Sequence, residues 1–175
     1  MLYVREFCAT VVPDVSPCLV KCHPLNDKPT NECFSLIPEY VATNGGSQVI
    51  GWAIWEFSGV FIEAEFHAVW CSPTGKLVDI VPRVKSFKEI LFLPDSSRKY
   101  EHRQVDNIRK QLVEDNDVKR FLFLFHRQFQ ILNAGERAYQ RGVISLPKAT
   151  AREIESIRKD LARLQQRINN RYFLG

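Results

Sequence analysis

The four residues Ser72-Pro73-Thr74-Gly75 constrain this chain more than any other stretch. Proline suits the second position of a type I turn, and glycine the left-handed position that follows it in a bulged hairpin. The turn separates two runs that read as strands, Val60 to Cys71 and Lys76 to Val81. Ile62, Ala64, Phe66, Ala68 and Trp70 form an apolar stripe on the first, opposite Phe61, Glu63, Glu65, His67, Val69 and Cys71. A three-residue loop sets Ser72 opposite Lys76, and with it Val69 opposite Asp79 and His67 opposite Val81. His67 and Asp79 then share a face as diagonal neighbours, about 7–8 Å apart at the backbone. A two-residue loop would send them to opposite faces.

The residues before this hairpin predict a helix and a strand. Phe34 to Thr43 reads as a helix closed by Asn44-Gly45-Gly46, whose glycines suit a left-handed C-terminal cap. Proline is tolerated in the first helical turn and disruptive further in. Pro38 therefore places the helix start near Ser35, with Cys33 at its N-terminal edge. Free N–H groups and the positive end of the helix dipole favour a thiolate there. Ser47 to Glu56 alternates as a strand, and Phe57-Ser58-Gly59 makes the next turn. Glu89 to Leu93 reads as one more strand.

The flanks are less regular. Leu2 to Val12 reads as a strand, followed by Pro13, Pro17, Pro24 and Pro29. Cys18-Leu-Val-Lys-Cys22 resembles half a metal site, but no second ligand pair accompanies it, so free cysteines are preferred. From Ser96 the period becomes helical. Val105, Ile108 and Leu112 mark a short helix, and Val118 to Asn133 a longer buried one. Gly142 and Pro147 break the chain, and Thr150-Ala-Arg-Glu153 has the capping-box pattern. Ile154, Ile157, Leu161, Leu164 and Ile168 then form a seam that must pack on another helix.

Charge divides the chain. Residues 98–175 carry 17 Lys+Arg against 9 Asp+Glu, whereas residues 1–97 carry 7 against 11. Lys159, Arg163, Arg167 and Arg171 line up at i,i+4 on the last helix and suit an anionic partner, with a solvated face balanced by Glu155 and Asp160 as the simpler explanation. No apolar run reaches the ~20 residues of a membrane helix. The N-terminus lacks a basic-then-apolar leader pattern. Five unevenly spaced cysteines argue against a disulfide framework. The expected compartment is the cytoplasm, with signal-less export as an effector left open.

These features assemble a candidate site. Acyl transfer by a thiol needs a nucleophile near a positive helix end, a base, and a group that orients the base. Cys33, His67 and Asp79 supply these types in that order within about fifty residues. Asn31, Gln48 and Asn26 are candidate oxyanion donors. Glu65 and Trp52 are candidates to line the cleft. No cofactor or metal is called for, although Glu63 and Glu65 beside His67 keep a carboxylate metal site or acid/base pair as a minor alternative.

His67-Ala-Val-Trp70, a turn, and Leu77-Val-Asp79-Ile-Val-Pro82 resemble the transglutaminase core. In that family a His-Ala-Trp strand is followed by one ending in aspartate. The superfamily shares with papain-like enzymes the order Cys, His, Asp/Asn. The stretch from Cys33 to Pro82 also resembles a group of uncharacterised bacterial proteins with Gly-Trp-x-Ile-Trp-Glu and Glu-Ala-Glu-x-His-Ala-Val-Trp motifs. The resemblance implies a nucleophile at Cys33, a base at His67 and an orienting carboxylate at Asp79. Two departures stand out: Pro38 lies within the helix, and Ile-Val-Pro follows Asp79 where Pro-Thr is usual.

The expected architecture is α+β. Residues 1–97 form an antiparallel sheet with a transglutaminase-like or papain-like helix carrying the nucleophile at its N-terminus, and residues 98–175 a basic helical extension. The expected activity is thiol-dependent acyl transfer on amide bonds, as a peptidase, glutamine deamidase or amidase with a protein or peptide substrate. The alternative is a non-catalytic module binding protein or nucleic acid through the basic C-terminal helices.

Overall fold

The turn forms as its spacing requires. Ser72 N–H donates to Lys76 O at 2.9 Å and Gly75 N–H to Ser72 O at 2.9 Å, with Gly75 at φ +81°. Strand β3 (Phe61–Cys71) therefore pairs antiparallel with β4 (Leu77–Asp79) in the expected register, Trp70 opposite Val78 and Cys71 opposite Leu77. The structure, a computed structural model, describes residues 2–140 and 144–173.

Three further strands join this hairpin: β1 (Cys18–Cys22), β2 (Ser47–Phe57) and β5 (Glu89–Pro94). Their order is β2-β5-β1-β4-β3, and β2 also pairs with β3, so the five strands close into a barrel. The α+β class is as expected, but the sheet is neither open nor wholly antiparallel. β1 runs parallel to β4, with Lys21 opposite Val78 and Cys22 opposite Asp79. Val20, Ala53, Val69, Ile90 and Phe92 pack together, which gives the barrel an apolar interior drawn from β1, β2, β3 and β5.

Closure explains Gly51. It pairs with Pro94 where β2 meets β5, and a Cβ there would lie 2.2 Å from Leu93 O and 2.9 Å from Pro94 Cα. Both obstacles are backbone, so the strand cannot yield locally.

Helix α2 (Cys33–Asn44) packs Leu36 and Ile37 against Ala68, Val78 and Ile80, on the barrel's outer face. It begins at Cys33, two residues earlier than Pro38 suggested. Pro38 is thus a sixth helical residue, and the Phe34 carbonyl loses its i+4 donor. Gly45 ends the helix at φ +70°. The N-terminal strand expectation is overturned, because Leu2–Val11 is helix α1. Its buried positions Phe7 and Cys8, with Val12 just past its end, follow the helical period, and β-rich residues alone did not decide the matter.

The chain forms two compact units, Met1–Trp55 with Glu63–Tyr100, and Glu56–Ile62 with Glu101–Gly175. The second contains β6 (Ile108–Gln111), α3 (Asn116–Leu132), a 3-10 turn (Gly135–Tyr139) and α4 (Lys148–Tyr172). The short helix expected around Val105, Ile108 and Leu112 is instead β6, a four-residue strand that pairs with β3 and leads to Leu112 N–H donating to Val60 O at 2.8 Å. Three apolar residues at helical spacing were too few to outweigh an available strand edge.

Helix α3 starts where the Asp115 side chain accepts from Asp117 N–H at 2.7 Å and Val118 N–H at 3.3 Å. The seam Ile154, Ile157, Leu161, Leu164 and Ile168 is buried against Val118, Phe121, Leu124 and Ile131, so its partner helix is α3 of the same chain. The Thr150 capping box does not form. The helix begins at Lys148 with Pro147 as its cap, leaving Thr150 inside the first turn. The break expected at Gly142 lies outside the described residues.

Gly51→Ala is expected to destabilise the protein by at least about 2 kcal/mol, as over-packing does against an unyielding wall. A urea unfolding midpoint well below wild type is the corresponding observation.

Candidate active site

Three elements bring Cys33, His67 and Asp79 together. Helix α2 presents Cys33 in its first turn, where Leu36 N–H donates to Glu32 O at 3.0 Å. Glu32 makes no side-chain cap, so the first-turn N–H groups have neither an intrahelical partner nor a cap from it. Strand β3 presents His67, and β4 ends on Asp79. The His67 Nε2 is 3.2 Å from Asp79 Oδ1, and the Cys33 side chain lies near enough to the imidazole to favour its charged form. All three are buried, at 4 %, 2 % and 1 % exposure.

A fourth residue completes the cluster. Arg83 Nε lies 3.6 Å from Asp79 Oδ2, and neither atom has a hydrogen bond among the described residues, so they face each other as an ion pair alone. Arg83 Nη1 is 3.1 Å from Glu65 Oε2, which also accepts from Trp55 Nε1–H at 2.6 Å. The guanidinium carbon sits 4.9 Å from the Trp55 ring centre. Arg83 Nη2 is 3.3 Å from His67 Nε2 and 3.5 Å from Nδ1. A nitrogen so close to both cannot lie in the ring plane without striking Cε1. The cation therefore lies over the imidazole face.

These contacts set the charges. Burial alone would push the His67 imidazolium down, but the hydrogen bond to Asp79 and the neighbouring Cys33 outweigh it and raise the group to about 9. Burial would raise Asp79, and here hydrogen bonding to His67, the Arg83 charge and the Val81 N–H at 3.1 Å hold it below its usual range. Burial pushes Cys8 and Cys18 up, and burial with Asp79 nearby takes Cys22 to about 11.

Of the remaining candidates, Glu65 alone reaches the site. Gln48 lies past the far end of α2, roughly 16 Å of helix from Cys33, and its buried Nε2 has no hydrogen-bond partner among the described residues. Trp52 is a core residue rather than a cleft wall, with its indole N–H given to Asp95 Oδ2 at 3.0 Å. Asn31 takes a left-handed φ of 62°, and its backbone N–H is spent on Pro82 O. Asn26 lines a surface cleft beside Arg83. Glu65 joins the site through Arg83. No group of three or more His, Cys, Asp or Glu with metal-holding geometry occurs among the described residues.

Each member of the basic stripe is engaged within the chain. Lys159 pairs with Glu155 at 2.6 Å and Arg163 with Asp160 at 3.5 Å, while Arg167 pairs with Asp117 and Arg171 with Asp115. No helix among the described residues is long and apolar enough to cross a membrane.

Sequence reasoning missed Arg83. It follows β4 without periodicity, and only the rule that a buried carboxylate needs a cation calls for it. Comparison with known protein families, curated proteins and solved structures finds no match to this chain.

A raised imidazole stabilises the fold fully below its unfolded value near 6.5, and that contribution is lost as pH rises through about 9. Between those pH values wild type should lose stability relative to Asp79→Asn in urea titrations. The His67 Hε1 resonance should titrate at least about one unit lower in the variant.

Proposed function

We propose that this protein is a thiol-dependent enzyme acting on amide carbonyls, as a peptidase, deamidase or amidase, on a transglutaminase-like or papain-like plan. The observation that carries this reading is the His67–Asp79 contact of 3.2 Å, with Cys33 buried at the start of α2 and near enough to influence the same ring. Asp79 engages Nε2, which leaves Nδ1 to face the thiol. The protein or peptide substrate belongs to the proposal, as do the three catalytic roles.

In this scheme the thiol proton rests on His67 Nδ1, and Cys33 Sγ adds to the carbonyl carbon. The oxyanion forms beside the uncapped first-turn N–H groups of α2, which suit developing negative charge. The C–N bond then breaks as His67 returns the proton to the leaving amine, giving a thioester. Water, deprotonated by His67, attacks the thioester and restores the thiol. Asp79 fixes the ring orientation and stabilises the imidazolium. An acceptor amine in place of water would make the same steps a transfer.

One observation favours a second reading. Cys33 is 4 % exposed and packs with Leu36, Ile37 and Val81, as a small core residue would. On that reading the fold is a non-catalytic binding module, with protein or nucleic acid as partner.

Iodoacetamide labelling at pH 6, located by mass spectrometry, separates the two. The enzyme reading expects selective labelling of Cys33, because Cys8, Cys18 and Cys22 are held protonated. Labelling should fall at least about tenfold in His67→Ala. Amide-cleaving activity should fall about a thousandfold or more in Cys33→Ala and His67→Ala. A Cys33 no more reactive than Cys8 assigns the chain to the binding-module reading.

A further inference from the structure

Beside the triad lies a cleft of about 280 Å³, large enough for one amino-acid side chain. Its lining comes from two segments, residues 22–28 and 81–87. Leu25 and Val81 line it and also pack in the cluster that holds Cys33. Arg83 lines it and lies over the His67 ring. Leu25 and Val81 thus belong both to the cleft wall and to the apolar cluster around the thiol.

The lining is apolar in its body and cationic in charge. Pro24, Leu25, Val81, Pro82 and Phe87 supply the apolar surface. Lys28, Arg83 and Lys85 bring three cations against the single carboxylate of Asp27. Lys85 makes no ion pair among the described residues. Among the described residues Lys28 pairs only with an exposed Glu39, at 3.8 Å, and such pairs hold weakly in water. Arg83 is offset by Glu65 and Asp79, so the unanswered charge belongs to the lysines. An occupant matched to this lining has a short apolar stem and an anionic tip.

We propose that this cleft is the acyl-side subsite of the enzyme and takes a substrate whose acyl group carries a carboxylate, such as an acidic residue preceding the scissile amide. This rests on the thiol-enzyme reading above. The carboxylate pairs with Lys85 and Lys28, the stem lies on Leu25 and Phe87, and the carbonyl is directed past Val81 toward Cys33. Phe87 contacts Trp55 at 5.0 Å between ring centres, so an occupant is felt at the Trp55 indole.

The test is an NMR titration of the full chain followed at the Trp55 indole N–H, with the α-amides of N-acetyl-L-glutamate and N-acetyl-L-glutamine as probes, so that the side chain alone carries the difference in charge. The expected result is a saturable shift with the acid, at least tenfold tighter than with the amide. It should weaken about tenfold in Lys85→Met, whose remaining spectrum superposes on wild type, and likewise in Lys28→Met. It should also weaken with added salt. The acid should slow Cys33 labelling at pH 6 at least threefold. Equal binding of the two probes, or no effect of either lysine, overturns the subsite while a reactive Cys33 leaves the enzyme reading standing. Selective binding of the acid to a protein whose Cys33 is inert overturns the subsite by removing the enzyme it would serve.

Discussion

The structure around the candidate site depends on keeping a carboxylate charged inside the protein. Asp79 is 1 % exposed, and removing such a group from water costs several kcal/mol unless it is paired. Three groups compensate: the His67 imidazole from β3, the Arg83 guanidinium after β4, and the Val81 N–H. Two of them lie within four residues of Asp79. The third depends on the register of the β3–β4 hairpin, because a slip of one residue would turn His67 to the other face and orphan the carboxylate. Turn chemistry, register and the proposed chemistry are therefore one constraint. Arg83 extends it to Glu65 and, through that carboxylate, to the Trp55 indole on β2.

What was legible in the sequence follows from how local each signal is. The Ser72–Gly75 turn forced the register, and the register placed His67 beside Asp79. The Gly45-Gly46 pair closed α2, and the Ile154 to Ile168 spacing marked a seam now buried on α3. These are short-range rules whose outcome does not depend on distant neighbours. Leu2–Val11 and Ile108–Gln111 were misassigned in opposite directions, for one physical reason. A segment of ten residues or fewer is decided by what it packs against, and β-rich residues or three spaced apolar positions cannot report that. Barrel closure was invisible too. It depends on β1 pairing with β4 and β5, and on Gly51 allowing β2 to approach β5.

The capping error at α4 shows a limit of motif reading. Thr150 and Glu153 have the right spacing, yet Pro147 starts the helix three residues earlier, with Ala151 N–H donating to Pro147 O at 2.9 Å. Proline suits the beginning of a helix because it offers no N–H that would go unbonded. The helix extends backwards until it meets that residue, and the capping box is left as an ordinary helical turn. Pro38 behaves differently. Lying in a helix anchored by Leu36 and Ile37 in the core, it is carried at the cost of one carbonyl partner, and packing outweighs the local penalty.

Charge counts mislead in the same way as motif spacing, because they record sign without position. The last helix has four cations at i,i+4, a stripe that by itself repels and suits an anionic partner. In the structure its C-terminal half meets the start of α3. Asp115 both caps that helix and accepts from Arg171 and the Tyr172 hydroxyl, while Asp117 takes Arg167 and a second bond from Arg171. Burial would raise Asp115, but these donors bring it down to about 2. The two aspartates at the positive end of α3 are favourably placed for its dipole, and they are what the C-terminal half of the stripe answers to. The surplus of positive charge in residues 98–175 is real, but the residues arranged most suggestively are already engaged, Lys159 and Arg163 within α4 and Arg167 and Arg171 in joining it to α3.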